Sequence, residues 1–239
     1  MRVRSAVRNA VSWPASGLRS WPTLVGRTVG CFGVVLGIAI TCGFLLRLAE
    51  RPDGSTRVDS WITERLVAHR TDALTSLAQG VSRVGSTSVL LPVVAVAAGL
   101  LVWRHRVLLA GLLVAACAGS IGLYDVTKAV VDRPRPPAGI RLATAAGSSF
   151  PSGHAAQSLA TYAALAIVVA TVWRPARFAG CLAAALIALG VGWARVYLGM
   201  HWTTDVAAGW LIGAAWLVLV IMLTRPARAL FAGSIHWAR

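Results

Sequence analysis

Long runs of apolar residues dominate the chain, and short polar segments separate them. A helix needs about 20 apolar residues to cross the hydrocarbon core of a bilayer. The pattern predicts six such spans, at 28–46, 86–103, 107–127, 155–173, 178–194 and 204–224. All six are predicted to be helices, because lipid offers no partner for unpaired backbone groups and the runs lack the alternation of barrel strands.

The longest polar stretch between two spans is residues 47–85. Its apolar residues recur at intervals of three to four positions: Val58, Trp61, Ile62, Leu66 and Val67. Charged residues, among them Asp59 and Glu64, occupy the positions between them. This period predicts an amphipathic helical segment that lies on the outer membrane surface.

The spans divide the chain into one membrane domain and two tails. Residues 1–24 contain two Trp-Pro pairs, several serines and arginines, and no helical period, so they are predicted to form a mobile cytoplasmic tail. Residues 25–228 form the predicted membrane domain, which includes the amphipathic segment. Residues 229–239 form a second predicted cytoplasmic tail. The predicted fold class is therefore all-α, a polytopic bundle of six transmembrane helices.

Composition supports a membrane protein. Hydrophobic residues make up 57% of the 239 positions, the mean hydropathy is +0.70, and only 13% of the residues are charged. A soluble domain carries about 25% charged residues. Most of the surface is therefore expected to face lipid, and membrane lipids are expected partners.

The distribution of charge predicts the orientation in the membrane. One side of the predicted topology carries 12 of the 23 Lys and Arg residues and none of the 8 Asp and Glu residues. By the positive-inside rule this acid-free side is cytoplasmic. The chain is thus expected to be a multi-pass protein of the plasma (inner) membrane with both termini in the cytoplasm. The net charge of +15 follows mostly from this topology, and no nucleic-acid partner is expected.

Three segments carry residues suited to phosphate chemistry. Lys128, the only lysine, opens a run that ends in Arg135-Pro136. The second segment is Pro151-Ser152-Gly153-His154, and the third holds Arg195, His201 and Asp205. All three fall on the extracytoplasmic side of the predicted topology. Fixed cations, a nucleophile and an acid are what phosphoryl transfer needs.

The second and third segments have features that favour this chemistry. Pro151–His154 predicts a turn at a helix N-terminus, where unpaired N–H groups and the helix dipole attract anions. His201 and Asp205 are four residues apart and share a face of a helix. The carboxylate is expected to accept a hydrogen bond from one ring nitrogen, which leaves the lone pair of the other nitrogen facing outward.

In this order, the motifs K-x6-R-P, P-S-G-H and R-x5-H-x3-D resemble the signature of the type 2 phosphatidic acid phosphatase (PAP2) superfamily. The motifs span residues 128–205, and the six-span layout extends the resemblance over nearly the whole chain. One position departs from the pattern, because Ala194 stands where the family usually has serine. A hydroxyl donated to phosphate contributes about 0.5–1.5 kcal/mol, so the replacement affects tuning rather than the reaction.

The resemblance implies a role for each motif residue. His201 is expected to attack phosphorus and form a phosphohistidine, with Asp205 orienting it and His154 protonating the leaving oxygen. The remaining motif residues are expected to bind the phosphoryl oxygens: Lys128, Arg135, Arg195, Ser152 and Gly153. Arg133 falls outside the pattern and is expected to act only from behind these residues. The chemistry needs no metal and no cofactor.

These motifs predict hydrolysis of a lipid phosphate or diphosphate at the outer membrane surface. The first candidate substrate is a polyprenyl diphosphate, such as undecaprenyl or decaprenyl diphosphate. Phosphatidic acid and phosphatidylglycerol phosphate are alternatives, because all present the same terminal phosphoryl group. Two other classes stay open: a catalytically silent lipid transporter or assembly partner, and a haloperoxidase with an oxyanion cofactor.

Overall fold

The computed structural model describes the backbone of residues 15–233 and the side chains of residues 26–224. In this part of the chain all regular structure is helical. The α-helices are α1 (Ala15–Leu48), α2 (Arg57–Ala68), α3 (Asp72–Val84), α4 (Thr87–Trp103), α5 (Val107–Val131), α6 (Gly153–Val172), α7 (Arg177–Tyr197) and α8 (Thr203–Gly233). Short 3₁₀ turns lie at Ala138–Ile140 and Arg174–Ala176.

The first and last helices are longer than the apolar runs that predict them. Helix α1 begins at Ala15, inside the range assigned to the N-terminal tail, and α8 continues to Gly233, inside the C-terminal one. The end of an apolar run marks the edge of the hydrocarbon, whereas helical hydrogen bonding continues into the polar region. Residues 1–14 and 234–239 of the two predicted tails lie outside the described residues.

Five helices are long and apolar enough to cross a membrane, namely those that contain 26–48, 107–131, 153–172, 174–197 and 203–224. Helix α4 has only 17 residues and does not qualify alone. It joins α3 in a pair bent by 44° at the short break between Val84 and Thr87, and this pair qualifies as a sixth span. The described chain therefore has five or six candidate spans.

The outward surface of the bundle is apolar, as expected of a surface that meets lipid. Val96, Phe178 and Leu211 each leave more than 70% of their surface exposed. These large side chains would be buried in a protein that folds in water. Their exposure on three different helices agrees with a membrane-embedded bundle.

Helix α6 lies at the centre of the bundle and packs against α5, α7 and α8. Its contact with α8 is close because α8 presents Gly209 and Gly213 to the α6 backbone. A Cβ at Gly209 would lie 2.5 Å from Ser152 O, and one at Gly213 would collide with Ala156 O. The two glycines thus fix the start of α8, which carries Asp205, against the start of α6, which carries His154.

Helices α2 and α3 occupy the predicted amphipathic segment. Thr56 caps α2 in a capping box with Asp59, and Thr71 caps α3. Val58 and Trp61 are exposed on α2 as their positions predict, but Asp59 is fully buried instead of lying among the outward polar residues. It turns inward because its carboxylate has partners there, on the loop after α5 and at the start of α8.

Candidate active site

A cavity of about 310 Å³ lies where the C-terminal ends of α5 and α7 meet the N-terminal end of α6. The loop of residues 132–152 and the short connection before α8 close it. Its lining takes residues from all three sequence motifs: Lys128 and Arg135, Gly153 and His154, and Arg195 and His201. Thr87, Tyr124, Ala143, Thr144, Ala145 and Met200 complete the lining. Among the described residues, this lining carries three cations and no carboxylate.

Two of the cations are held by backbone carbonyls of the loop. Lys128, in the last turn of α5, donates from Nζ to Ser148 O at 2.9 Å. Arg135 donates to Ser148 O at 3.1 Å, to Gly147 O at 3.0 Å and to Met200 O at 2.7 Å. These bonds fix both side chains beside the cavity while their charges stay unpaired by any acid in its lining. An anion that enters therefore meets fixed positive charge.

Arg195 supplies the third cation from the last turn of α7. It is buried, and its Nη1 donates to the Ser82 hydroxyl at 3.0 Å. Its Nε is also buried and has no hydrogen-bond partner in the described part of the chain. A buried guanidinium N–H without a partner is unusual, and one at the edge of a cavity is free to bind an anion there.

His201 is almost fully buried, and its two ring nitrogens have different surroundings. Nδ1 lies 2.8 Å from Ser149 O and 3.7 Å from Asp205 Oδ2, so its hydrogen bond goes to the carbonyl. The sequence analysis predicted that the Asp205 carboxylate accepts this hydrogen bond, whereas the structure has the Ser149 carbonyl as the acceptor. The consequence for the ring is the same, because a proton on Nδ1 leaves the Nε2 lone pair free. Nε2 lies 3.4 Å from Arg135 Nη1.

Burial lowers the pKa of His201 to about 3, with the nearby Arg195 and Lys128 acting in the same direction, although Asp205 opposes the shift. The ring is therefore neutral at physiological pH. A neutral imidazole with its free lone pair beside a cationic cavity has the properties of a nucleophile.

Asp205 lies behind His201 in the first turn of α8 and is fully buried. Its carboxylate accepts hydrogen bonds from the Ser149 hydroxyl, from the backbone N–H of Trp202 at 2.9 Å, and from Arg133. Ser149 therefore contacts both members of the pair, because its carbonyl binds His201 and its hydroxyl binds Asp205. The pair is held together through Ser149 as well as by its own charges.

His154 lies in the first turn of α6, half-buried, with its ring lining the cavity. The helix begins at Gly153, where a Cβ would lie 2.8 Å from the Tyr124 ring. The first-turn N–H groups of a helix have no acceptor within the helix. Gly153 and His154 thus bring donors and an imidazole to the same wall.

Ser152 does not line the cavity as its motif position suggests. It is fully buried, its hydroxyl has no hydrogen-bond partner, and its N–H donates to Asp205 O at 3.0 Å. Its own carbonyl accepts from Ala156 N. Ser152 therefore ties the start of α6 to the start of α8. Ala194 is also fully buried, in an apolar cluster with Ala78 and Leu198.

Three residues lie at the back of the site, and sequence reasoning gave two of them, Asp59 and Ser149, no role there. Arg133, which the sequence placed behind the motif residues, is 1% exposed and contacts Asp205 directly. Asp59 contacts Arg133, and Ser149 contacts both His201 and Asp205. The one signal for Arg133 is its place between Asp132 and Pro134, two residues before a motif arginine.

Comparison with known proteins agrees with this geometry. The family model of the PAP2 superfamily matches residues 106–228. The chain is 30% identical over 181 residues to phosphatidylglycerophosphatase B of Bacillus subtilis (strain 168), which covers 74% of this chain and 88% of that protein. It is 32% identical over 138 residues to an undecaprenyl-diphosphatase of Sulfolobus acidocaldarius, covering 56% and 62%.

Solved structures show the same architecture. The crystal structure of a transmembrane PAP2-type phosphatidylglycerolphosphate phosphatase from Bacillus subtilis superposes with a TM-score of 0.68 at 26% identity, over 77% of this chain and 93% of that one. The crystal structure of Aquifex aeolicus LpxE has the same fold, with a TM-score of 0.58 at 21% identity over 70% and 97%.

A helical membrane protein with a cationic, two-histidine cavity is thus the class that fold and site define. The chain belongs to the PAP2 superfamily, as its three motifs predict. It is a phosphatase of the PAP2 type and an integral membrane protein.

Proposed function

We propose that this phosphatase hydrolyses a lipid phosphate or diphosphate without a metal, through a phosphohistidine on His201. The observation that carries the proposal is the cavity itself, in which three cations and two imidazoles from distant segments line about 310 Å³. The three cations match the dispersed negative charge of a phosphoryl group in transfer. The neutral His201 ring beside them matches the nucleophile.

The three cations of the cavity and the start of α6 bind the phosphoryl group. Lys128, Arg135 and Arg195 neutralise its oxygens, and the unpartnered Nε of Arg195 gains an acceptor when the group binds. The N–H of Gly153 donates to one oxygen at the positive end of the helix. Ser152 contributes by fixing that turn through its bond to Asp205 O.

The reaction proceeds in two displacements. His201 Nε2 forms a bond to phosphorus while the bond from phosphorus to the leaving oxygen breaks, and His154 gives that oxygen a proton. Asp205 stabilises the positive charge that develops on the His201 ring. Water then attacks the phosphohistidine, His154 takes the proton from water, and phosphate leaves with His201 restored.

The membrane arrangement we propose has six spans, with α3 and α4 forming one bent span. Both termini lie in the cytoplasm, and the site opens on the outer side of the plasma (inner) membrane. The two-sided distribution of arginine supports this orientation. The exposed Val58 and Trp61 of α2 support an amphipathic segment at the outer membrane surface. The phosphate head group then reaches the cations while its chain stays in lipid.

A polyprenyl diphosphate is the substrate we propose first, because an outward-facing site suits a carrier lipid used in building the cell envelope. The undecaprenyl-diphosphatase relative supports this class. Phosphatidylglycerol phosphate is the second candidate. It is supported by the phosphatidylglycerophosphatase relative, which matches a larger share of the chain.

The test is phosphate release by the purified chain in detergent, with EDTA present, from a polyprenyl diphosphate, phosphatidylglycerol phosphate and phosphatidic acid. We expect turnover of at least one lipid in EDTA, with the highest kcat/KM for the polyprenyl diphosphate. The His201→Gln variant is the matched control and should release no phosphate. Strict dependence on Mg²⁺, or no release from any lipid, would contradict the proposal, and the second result would favour a silent transporter or assembly partner.

A further inference from the structure

Arg133 is the largest fully buried side chain in the described part of the protein, and every nitrogen of its guanidinium has a partner. Nη1 donates to Asp205 Oδ1 and to the Thr204 hydroxyl. Nη2 donates to Asp59 Oδ2 at 2.9 Å and to Gly54 O at 2.9 Å. Nε donates to Gly54 O at 3.2 Å and lies 2.8 Å from Glu50 Oε1.

These partners come from three separate parts of the chain. Glu50 follows α1, Asp59 lies in α2, and Asp205 lies in the first turn of α8. A buried guanidinium is strongly unfavourable unless carboxylates surround it. Burial opposes the charge of Arg133, but Asp205 and Asp59 outweigh it and raise the pKa of the guanidinium. The cation is therefore permanent.

Arg133 does not line the cavity, so it has no part in holding the phosphoryl group. It acts on the opposite side of Asp205. Its Nη1 binds Asp205 Oδ1, while Oδ2 of the same carboxylate accepts from Ser149 and Trp202 and faces His201. The carboxylate is thus fixed from both ends.

Asp59 braces this arrangement from α2. Its Oδ1 accepts from the backbone N–H of Thr204 at 2.9 Å and from the Thr204 hydroxyl at 3.0 Å, while Oδ2 binds Arg133. Asp59 thereby holds both the guanidinium and the residue that precedes Asp205. The buried carboxylate of Asp59 thus connects α2 to the start of α8.

We propose that Arg133 is a positioning residue of the phosphatase, which fixes the Asp205 carboxylate and through it the His201 ring, while Asp59 and Glu50 hold Arg133 in place. The inference rests on the proposed role of His201 as nucleophile. The positive charge of Arg133 also disfavours a proton on His201, because both share one carboxylate. Replacing Arg133 by a neutral residue removes the guanidinium that is bonded to Asp205. More of the negative charge of the carboxylate is then available to stabilise a proton on His201, so the pKa of the ring rises.

Charged and titratable groups face the His201–Asp205 pair from every neighbouring element. They are Arg133 and Arg135 on the loop after α5, Lys128 on α5, His154 on α6, Arg195 on α7, Asp59 on α2 and Glu50 after α1. A variant that changes Arg133 alone leaves the others in place. A shift in the pH dependence is then due to that one charge.

The experiment compares Arg133→Gln, Arg133→Lys and Asp59→Asn with the full wild-type chain in detergent micelles. Phosphatidylglycerol phosphate and a polyprenyl diphosphate are the probes, and kcat and KM are measured from pH 3.5 to 8. The matched control is Arg51→Gln, because Arg51 is exposed in the same region and its guanidinium donates to the Ser60 hydroxyl. This control should behave as wild type.

We expect Arg133→Gln to lower kcat by about 10- to 100-fold, the range found when a group that orients a metal-bound histidine is lost. KM should stay within about threefold, because the cations that bind phosphate are unchanged. The acid limb of kcat/KM should move to higher pH. Arg133→Lys should recover part of the loss, since one ammonium supplies the charge but not the fork that joins two carboxylates.

Asp59→Asn separates the positioning role from a general loss of structure. It weakens the hold on Arg133 but leaves the positive charge beside Asp205, so kcat should fall while the acid limb does not move to higher pH. This variant and Arg133→Lys decide the matter if Arg133→Gln does not fold. The inference would be overturned if Arg133→Gln kept the wild-type kcat and the wild-type acid limb of kcat/KM. It would also be overturned if the acid limb of Asp59→Asn moved to higher pH as far as that of Arg133→Gln.

The two proposals fail in different ways. If His201→Gln is inactive but the Arg133 variants behave as wild type, only the positioning role is wrong. If His201→Gln retains turnover, the proposed nucleophile is wrong and the role of Arg133 falls with it. The Arg51→Gln control guards against a general effect of removing an outer arginine.

Discussion

The ring of His201, the proposed nucleophile, is held by a backbone carbonyl as much as by a carboxylate. Ser149 O fixes the proton on Nδ1, and burial keeps the ring neutral. Asp205 is near enough to stabilise a positive charge on the ring, at 3.7 Å, without being the closest acceptor. A carboxylate that is already bonded to Arg133 and Ser149 is a fixed charge rather than a base.

The pH profile of the reaction follows from these surroundings. Because burial lowers the pKa of His201 to about 3, protonation of this ring should reduce kcat/KM only well below the value near 6.5 of an exposed imidazole. In steady-state assays we therefore expect kcat/KM to stay level as the pH falls from about 8 to about 5, and to decline only in more acidic solution. A decline centred near pH 6.5, the value of an exposed imidazole, would contradict a His201 ring that burial keeps neutral.

Ala194 provides a test of the one departure from the family pattern. Its side chain packs in an apolar cluster and lies outside the cavity lining. In an Ala194→Ser variant the new hydroxyl should bond to the carbonyl one turn earlier in α7, as serine does within helices. We expect kcat/KM within about threefold of wild type, since a hydroxyl that is bonded within the helix gives no hydrogen bond to phosphate. A tenfold gain would show that the hydroxyl reaches the phosphoryl group.

Sequence reasoning found the cations and histidines that line the cavity and placed Arg133 behind them, but it gave neither the contacts of Arg133 nor any role for Asp59. Lys128 and His201 stand in motifs whose spacing is specific to one chemistry. Arg133 and Asp59 carry no such spacing, and they are 74 positions apart. A charge on a loop or an amphipathic helix is usually solvated, so only the folded arrangement reveals that these two are buried together.

At the scale of elements, the contact between α6 and α8 sets the distance between the two histidines. Gly209 and Gly213 allow the α8 backbone to lie directly on α6. Small residues at this spacing are a common means of close helix packing in membranes. His154 lies in the first turn of α6 and His201 lies two residues before the start of α8, so any separation of these helices separates the two imidazoles.

Gly213→Ala should therefore reduce both stability and activity. The new Cβ meets Ala156 O, a backbone atom that has no room to move, and overpacking of this kind typically costs about 1–3 kcal/mol. We expect a lower Tm in detergent and a kcat at least about tenfold lower. The matched control is Gly99→Ala, since a Cβ at Gly99 has no neighbour within 4 Å. Equal activity of the two variants would contradict this account of the contact.

The apolar pattern predicted the five helices that qualify as spans, but not their ends, and the predicted span 86–103 qualifies only together with α3. The predicted third span stops at 127, whereas α5 continues to Val131 and carries Lys128 in its last turn. Helix α7 likewise extends past 194 and carries Arg195. Lys128 and Arg195 can lie within these apolar helices because their charged ends reach the cavity rather than lipid. The bend between α3 and α4 follows from a break at Gly85–Ser86, and no hydropathy signal marks its angle.

At the scale of the whole molecule, the orientation in the membrane decides which compartment the site serves. Charge alone supports the outward orientation. Cysteine labelling tests it, in a chain whose four native cysteines, Cys31, Cys42, Cys117 and Cys181, are replaced by alanine. Ala138→Cys lies on the loop beside the site, and Pro175→Cys lies on the opposite side between α6 and α7.

We expect a membrane-impermeant maleimide to label Ala138→Cys in intact cells and to label Pro175→Cys only after the membrane is opened. Both positions are in exposed polar connections, so access depends on the compartment rather than on burial. Both variants should retain phosphatase activity, because neither residue lines the cavity. Labelling of Pro175→Cys alone in intact cells would reverse the proposed topology and place the site in the cytoplasm.

The family and the all-helical class were predictable from the sequence, because three specific motifs and several long apolar runs point the same way. The sequence also placed the three motifs on one side of the predicted topology, and the structure adds the cavity that they line. Helix α2 shows what the sequence pattern does not reveal. The amphipathic period of residues 47–85 predicts a surface helix, yet Asp59 of α2 contacts Arg133 at the back of the site. The spacing of apolar residues along a helix indicates which face meets lipid. It does not indicate which residue a buried charged side chain contacts.

The most direct test of the central claim is to trap the phosphoenzyme. The full chain is mixed with a lipid substrate labelled with ³²P in its terminal phosphoryl group, quenched in alkali or detergent, and compared with His201→Gln and His154→Gln. We predict label on wild-type protein that is stable to alkali and lost in acid, and label that accumulates in His154→Gln once formed, because water attack is slowed. We predict none on His201→Gln. Acid-labile label on His201→Gln, or turnover by that variant, would contradict the account.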